Sequence, residues 1–193
     1  MSIALNAAGV ELASPLVALS VSPGGRLWLE GDSTLHRYKT SAEEFKVTAK
    51  GHGSSDAEQL ARHHGLDEFE LTVPVLKLRS GEKGLDENLA KAMKAVTFPN
   101  IAFRMTSYEV SPTLAIKIHG LLAMAGVEKP VDIDAASAKT PNGLHLVGTK
   151  SVLMSDYGIK PPVLMLGTIR TANSVAVKFD FELEARALPL PTP

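Results

Sequence analysis

Residues 175–183, VAVKFDFEL, carry the clearest structural signal in this sequence. Valine, phenylalanine and leucine alternate there with alanine, lysine and two acidic residues. A two-residue period of this kind predicts a β-strand with one apolar and one polar face. The apolar face has to be covered, and this requirement constrains the rest of the fold.

The same alternation recurs along the chain. It is clear in residues 69–75, 101–105, 113–122 and 144–154, and weaker in residues 26–36, 45–50 and 129–135. In residues 144–154, every second residue belongs to a mostly apolar set: Leu144, Leu146, Gly148, Lys150, Val152 and Met154. Long strands of this type bury their apolar faces either in a sandwich or in a closed barrel. Gly51, Gly120 and Gly148 fall within or beside such segments, where isolated glycines mark the bulges and bends that barrels need.

Helical signals are few. Residues 86–95, DENLAKAMKA, have acidic residues at the start and lysines towards the end, and Pro99 follows as a stop. A second short helix is predicted over residues 56–64, with Ser55 or Asp56 as cap and Gly65 as stop. The sequence therefore predicts an all-β antiparallel protein of about eight strands with one or two short helices.

The composition excludes several function classes. The 193 residues are 45% hydrophobic and 21% charged, carry a net charge of −1 and include no cysteine. This rules out disulfides, thiolate metal sites and thiol nucleophiles. With 5% aromatic residues and no basic excess, nucleic-acid binding is not expected. Residues 3–21 are apolar on average, but they make a poor signal peptide because no Lys or Arg precedes them.

Catalytic motifs are weak. The run SGEKG at residues 80–84 lacks the spacing of a phosphate-binding loop, and no Gly-x-Ser-x-Gly motif is present. His36, His119 and His145 each fall on a predicted strand, so a barrel could bring them together. A metal- or cofactor-dependent enzyme is therefore kept as an alternative, although surface histidines are the more common explanation of such a pattern.

Four segments together resemble the YceI-like family of lipocalin-like, polyisoprenoid-binding proteins. They are GDSTLHRY at residues 31–38, LDENLAKAMKAVTFPNIAFRMTS at residues 85–107, IHGLLAMAGVEKPV at residues 118–131 and MSDYGIKPPVLMLGTIR at residues 154–170. The resemblance implies a lipocalin-like β-barrel domain over residues 26–186. Residues 1–25 are then an N-terminal extension and residues 187–193 a Pro-rich tail, while residues 53–66 depart from the family pattern.

The phase of the strands predicts which side chains would line a barrel cavity. The predicted cavity wall consists of Phe103, Met105, Ile116, Ile118, Val152, Met154, Val177 and Phe179, with Leu164 and Leu166 closing one end. His36, Tyr157 and Lys160 are predicted to form a polar mouth that holds a head group. Because unbranched Met side chains adapt their shape, they suit an irregular lipid tail.

The resemblance implies non-catalytic binding, transport or storage of a polyisoprenoid or other long-chain amphiphile, such as an isoprenoid quinone or a polyprenyl lipid. A ligand-free structural or stress-response module is the other alternative. The family suggests a periplasmic or secreted protein whose leader has been removed, and a cytoplasmic protein is the alternative. Transient membrane contact and a homodimer are further expectations.

Overall fold

The structure, a computed structural model, describes residues 14–164 and 168–189, with the side chain of residue 164 left out. The strands are β1 (Leu16–Val21), β2 (Arg26–Ser33), β3 (Tyr38–Ala42), β4 (Lys46–His52), β5 (Leu66–Pro74), β6 (Leu78–Arg79), β7 (Asn100–Val110), β8 (Ala115–Met124), β9 (Val127–Lys139), β10 (Leu144–Leu153), β11 (Val163–Leu164) and β12 (Ile169–Ala187). The helices are α1 (Ala57–Arg62) and α2 (Lys83–Ala92). Neither of these helices is long and apolar enough to cross a membrane.

Eight antiparallel strands close into a barrel, which confirms the predicted fold class. The closed circuit runs β1, β4, β5, β7, β8, β9, β10 and β12, and β12 returns to β1. The strand β12 closes it because its 19 residues pair with β10 on one side and with both β2 and β1 on the other. The hairpin β2–β3 extends the wall beside the first half of β12, and β6 pairs with β3.

The two ends of the barrel are closed differently. At one end, here the α1 end, α1 connects β4 to β5 and buries Ala57, Leu60 and Ala61. At the opposite α2 end, α2 lies between β6 and β7. Since neighbouring strands are antiparallel, the last residues of β2, β5, β8 and β10 also lie at the α2 end.

The first strand corrects the predicted domain boundary. Residues 16–21, which the sequence analysis assigns to an N-terminal extension, form β1 and pair with both β4 and β12. Val17 is fully buried and packs with Leu19, Ala49 and Leu60. The segment therefore belongs to the barrel wall.

The predicted bends are present at two of the three glycines. The register between β4 and β5 shifts at Gly51, and the register between β7 and β8 shifts beside the partner of Gly120. Gly148 instead lies in a regular part of β10.

Helix α1 begins as predicted, because the Asp56 side chain accepts hydrogen bonds from the amides of Glu58 and Gln59 at 2.9 and 3.1 Å. Helix α2 begins one turn before the predicted start and ends earlier. Its end is set by Lys94, which has a φ of 54° and leaves the helical conformation well before Pro99.

Candidate functional site

The inward side chains of the barrel enclose an apolar cavity of about 150 Å³ towards the α2 end. Its wall consists of residues from β2, β3, β5, β6, β7, β8, β9, β10 and β12, and Leu89 of α2 and Met93, which directly follows α2, contribute to its end. Apolar interiors normally pack without voids larger than a water molecule. A void of this size is comparable with cavities that admit a benzene-sized guest, or about six carbon atoms.

A second, smaller cavity of about 50 Å³ lies towards the α1 end. Leu60, Tyr108 and Leu183 are among its lining residues, and Phe69 and Leu146 line both cavities. The two cavities therefore adjoin one another along the barrel. Met105 lines the smaller cavity and packs against both main core clusters, and its side chain has the conformational freedom to move aside.

Two glycines let aromatic rings lie flat against the inner wall. A Cβ atom added at Gly120 would lie 2.5 Å from the ring of Phe103, and one added at Gly148 would lie 2.3 Å from the ring of Phe179. Any larger residue at either position would push the ring towards the barrel axis. The glycines thus help to keep the larger cavity open.

The structure places the predicted cavity residues on the inner wall, divided between the two cavities. Phe103, Val152, Met154, Val177 and Phe179 line the larger cavity, whereas Met105, Ile116 and Ile118 line the smaller one. The predicted contributions of the Leu164 side chain and of Leu166 lie outside the described residues.

The predicted polar mouth is not assembled. His36 is exposed in the β2–β3 connection, where its Nδ1–H donates to the carbonyl oxygen of Arg37 at 2.9 Å. Tyr157 is 2% exposed and packs among Val152, Ile159 and other core residues. Lys160 is exposed, and none of the three lines either cavity. All three belong to connections between strands, where strand phase gives no information about direction.

Lys150, to which the sequence pattern gives no predicted role, is the only charged residue among the described residues that line the larger cavity. It lies in the apolar phase of β10 between Gly148 and Val152, and that position was the available signal. Thr40 and Tyr38 of β3 also line this cavity. Thr40 is only 1% exposed, and burial raises the pKa of the Tyr38 hydroxyl, which therefore stays neutral.

The three histidines of the enzyme alternative do not meet. His119 is hydrogen-bonded to Asp132 at 2.7 Å on the outer face, and His145 is hydrogen-bonded to Asp180 at 2.8 Å, also on the outer face. Their register partners on β9 are six residues apart, which corresponds to about 20 Å along the strand. His36 lies at the α2 end, and no cluster of three or more potential metal ligands occurs within residues 14–164 and 168–189.

These outer pairs perturb carboxyl groups. Hydrogen bonds from His145 and Arg26 lower the pKa of Asp180, and the hydrogen bond from His119 lowers the pKa of Asp132. Both carboxylates face away from the cavities, so their role is in the stability of the wall.

Residues 31–183 match the model of the YceI-like domain. The chain belongs to the YceI-like family. Among curated proteins, none is significantly similar to it in sequence. The YceI-like barrel also resembles solved structures at low sequence identity, which supports the fold alone.

BcnA of Burkholderia cenocepacia superposes with a TM-score of 0.68 at 14% identity, over 87% of this chain and 100% of BcnA. A polyisoprenoid-binding domain from Saccharophagus degradans gives a TM-score of 0.60 at 10% identity, over 88% of this chain and 98% of that domain. The YceI protein of Campylobacter jejuni gives a TM-score of 0.58 at 15% identity, over 79% of this chain and 86% of its own.

Proposed function

We propose that this YceI-like protein binds the hydrocarbon tail of an isoprenoid or other long-chain lipid non-covalently inside the barrel. The observation that carries the proposal is the apolar cavity of about 150 Å³ that the inner wall leaves unfilled. The polyisoprenoid-binding domain from Saccharophagus degradans, which has a similar fold, adds support for this ligand class. A barrel that served only as a structural module would have no need to leave this volume empty.

The size of the cavity limits what it holds without rearrangement. About six carbon atoms correspond to slightly more than one five-carbon isoprene unit. A longer tail therefore has to displace side chains. Met93 and Met154 at the larger cavity and Met105 at the smaller one have unbranched side chains that can make room.

The energetics favour a carrier or reservoir. Transfer of one CH₂ group from water to an apolar site contributes about 0.8 kcal/mol. A lipid that leaves a membrane, however, leaves an equally apolar environment, so this term largely cancels. The net affinity for a membrane lipid then rests on the fit of the tail and on contacts of the head group, which makes release back to a membrane feasible.

The α2 end provides a surface for transient contact with a membrane. Of the eight large hydrophobic residues that are exposed among the described residues, five lie at this end: Leu35, Leu76, Val96, Leu153 and Val163. Here they are called the apolar collar. They lie in or beside the connections at the end of the barrel towards which the larger cavity lies, so a lipid that enters or leaves at this end would pass near them. Exposed apolar residues grouped in this way are typical of interaction sites.

The direct test of lipid binding is organic-solvent extraction of protein purified without detergent, followed by mass spectrometry of the extract. We expect a co-purified long-chain lipid, or saturable binding of an added isoprenoid quinone or polyprenyl lipid to the extracted protein. Absence of both would contradict the proposal.

The collar is tested separately by co-sedimentation of the protein with neutral phosphatidylcholine vesicles that also contain an isoprenoid quinone or a polyprenyl lipid. The double variant Leu35→Ser/Val96→Ser is expected to sediment less and to take up lipid from vesicles more slowly than the wild type. The control is Leu16→Ser, since Leu16 is 54% exposed at the α1 end. Equal sedimentation and uptake by the double variant and the wild type would exclude the collar as the contact surface.

A further inference from the structure

Lys150 is placed where an apolar side chain is expected. Its neighbours two residues away on β10, Gly148 and Val152, are both buried inside the barrel, and its register partner on β12 is Val177 of the larger cavity. Its long apolar stem can line the wall while the ammonium group remains hydrated, and the residue is half-buried. A lysine at an inward-facing position of a barrel strand needs an explanation other than packing.

No carboxylate within the described part of the chain forms a salt bridge with Lys150. Asp132 is close enough for the lysine charge to contribute to its lowered pKa, but its side chain is on the outer face and is hydrogen-bonded to His119 at 2.7 Å. By contrast Lys178, on the outer face of β12, is paired with Glu30 at 2.6 Å. Within residues 14–164 and 168–189, Lys150 therefore has a cationic group at the cavity wall with no ionic partner.

Two hydroxyl groups lie on the same part of the wall. Thr40, Leu29, Val177 and Lys150 are successive register partners across β3, β2, β12 and β10. The ring of Tyr38 extends from β3 over Gly31 of β2, where an added Cβ would lie 2.2 Å from the hydroxyl oxygen. Gly31 pairs with Val175 of β12, and Val175 pairs with Val152 of β10, two residues from Lys150. With strands about 4.8 Å apart and a rise of about 3.3 Å per residue, the Tyr38 hydroxyl is about 12 Å from the backbone of Lys150, and Thr40, three strands away, is about 14 Å from it.

Tyr38 and Thr40 both line the larger cavity. Within residues 14–164 and 168–189, no fully buried side-chain oxygen or nitrogen lacks a hydrogen-bond partner. The protein therefore does not need a ligand to satisfy these hydroxyls, but their place in the lining puts them within the reach of one. Because Lys150, Tyr38 and Thr40 line the same cavity, a head group bound between them could contact the ammonium group and a hydroxyl.

We propose that Lys150, with the hydroxyls of Tyr38 and Thr40, forms a subsite for an anionic head group, so that this barrel prefers acidic amphiphiles over neutral ones of the same chain. The inference rests on the proposed lipid-binding function and specifies its ligand class. The shared chemistry is an anionic oxygen, either a carboxylate or a phosphate monoester, which accepts charge-assisted hydrogen bonds from an ammonium group.

The test compares pairs of ligands that differ only in the head. Delipidated full-length protein is titrated at pH 8 with dodecanoate and dodecanol, and with farnesyl phosphate and farnesol, by displacement of a fluorescent lipid probe. We expect the wild type to bind at least one anionic member about tenfold or more tightly than its alcohol. The carboxylate pair and the phosphate pair distinguish the two sources of the charge.

Variants then assign the preference to the residue. Lys150→Met is expected to lower the affinity for the anion more than the affinity for the alcohol, so that the ratio of the two affinities falls to about one. Lys150→Arg should keep the preference, and Lys178→Met, which removes a lysine from the outer face, should also keep it. Tyr38→Phe should lower the affinity for the anionic ligand more than the affinity for the alcohol.

The outcomes separate this inference from the proposed function. If the wild type binds acids and alcohols equally well, the subsite is refuted while lipid binding stands. If it binds neither, the proposed function fails and the inference with it. A preference that survives in folded Lys150→Met also refutes the assignment to Lys150. The wild-type comparison decides the question even where a variant fails to fold.

Discussion

Filling the larger cavity should weaken lipid binding by orders of magnitude without unfolding the barrel. Val177 is the position of choice because it lines this cavity at the middle of β12, between Leu29 and Lys150 in register. The substitution Val177→Trp puts an indole ring into the void of about 150 Å³. The matched control is Ser151→Trp, which places the same ring on the exposed outer face of β10.

The magnitude follows from the volume. A void that holds about six carbons, at about 0.8 kcal/mol for each CH₂ taken from water, contributes about 5 kcal/mol to binding from aqueous solution. At 1.4 kcal/mol for each factor of ten, Val177→Trp should weaken the binding of a dispersed 12-carbon guest by about three orders of magnitude. The control should change it less than threefold.

The assay is displacement of a fluorescent lipid probe, measured below the concentration at which the guest forms micelles. Thermal unfolding of the same samples shows whether the variant is folded. A folded Val177→Trp protein that binds with wild-type affinity would refute the reasoning, because the guest would then lie outside this cavity.

Two further predictions concern the wall of the barrel. Tyr108→Phe removes the buried hydroxyl that donates to the carbonyl oxygen of Ala61 at 3.2 Å, so we expect a loss of about 1–2 kcal/mol in unfolding free energy with lipid affinity unchanged, as checked by chemical denaturation and probe displacement. The lowered pKa of Asp180 means that its pairing with His145 and Arg26 contributes stability above the unfolded pKa of about 4, and that this contribution is lost as the pH falls through the lower folded value. Melting temperatures recorded from pH 7 to pH 2 should therefore fall less steeply in Asp180→Asn, and parallel curves for the variant and the wild type would contradict this assignment.

The fold was predictable because the alternation of apolar and polar residues in the sequence matches the alternation of inward and outward side chains in the strands. In the barrel, β12 buries Val175, Phe179, Phe181 and Leu183, all from the same phase of VAVKFDFEL. The strand β3, in contrast, has the sequence YKTSA and presents Thr40 to the interior, so it carries no apolar alternation from which it could be predicted. The strand β1 has the sequence LVALSV, in which four consecutive apolar residues hide any alternation, so it was not predicted as a strand.

The site was predictable to the extent that strand phase determines it. The inward positions of β7, β8, β10 and β12 follow from the two-residue period, which is why the cavity-wall residues on these strands line one cavity or the other. Residues in connections have no such period. The direction of the His36 and Lys160 side chains depends on how β2–β3 and β10–β11 turn, and this is decided by tertiary contacts.

The empty cavity has a cost that argues for a ligand. Cavities in protein interiors reduce stability by about 24 cal/mol for each Å³, so a void of about 150 Å³ costs on the order of 3–4 kcal/mol. This is a large fraction of the 5–15 kcal/mol that stabilises a typical domain. The glycines that hold Phe103 and Phe179 against the wall maintain the void, although larger residues at these positions would move the rings into it. A barrel that stays hollow at such a cost in stability recovers it when a guest fills the space, and binding of the guest should accordingly raise the melting temperature of the wild type and not that of Val177→Trp.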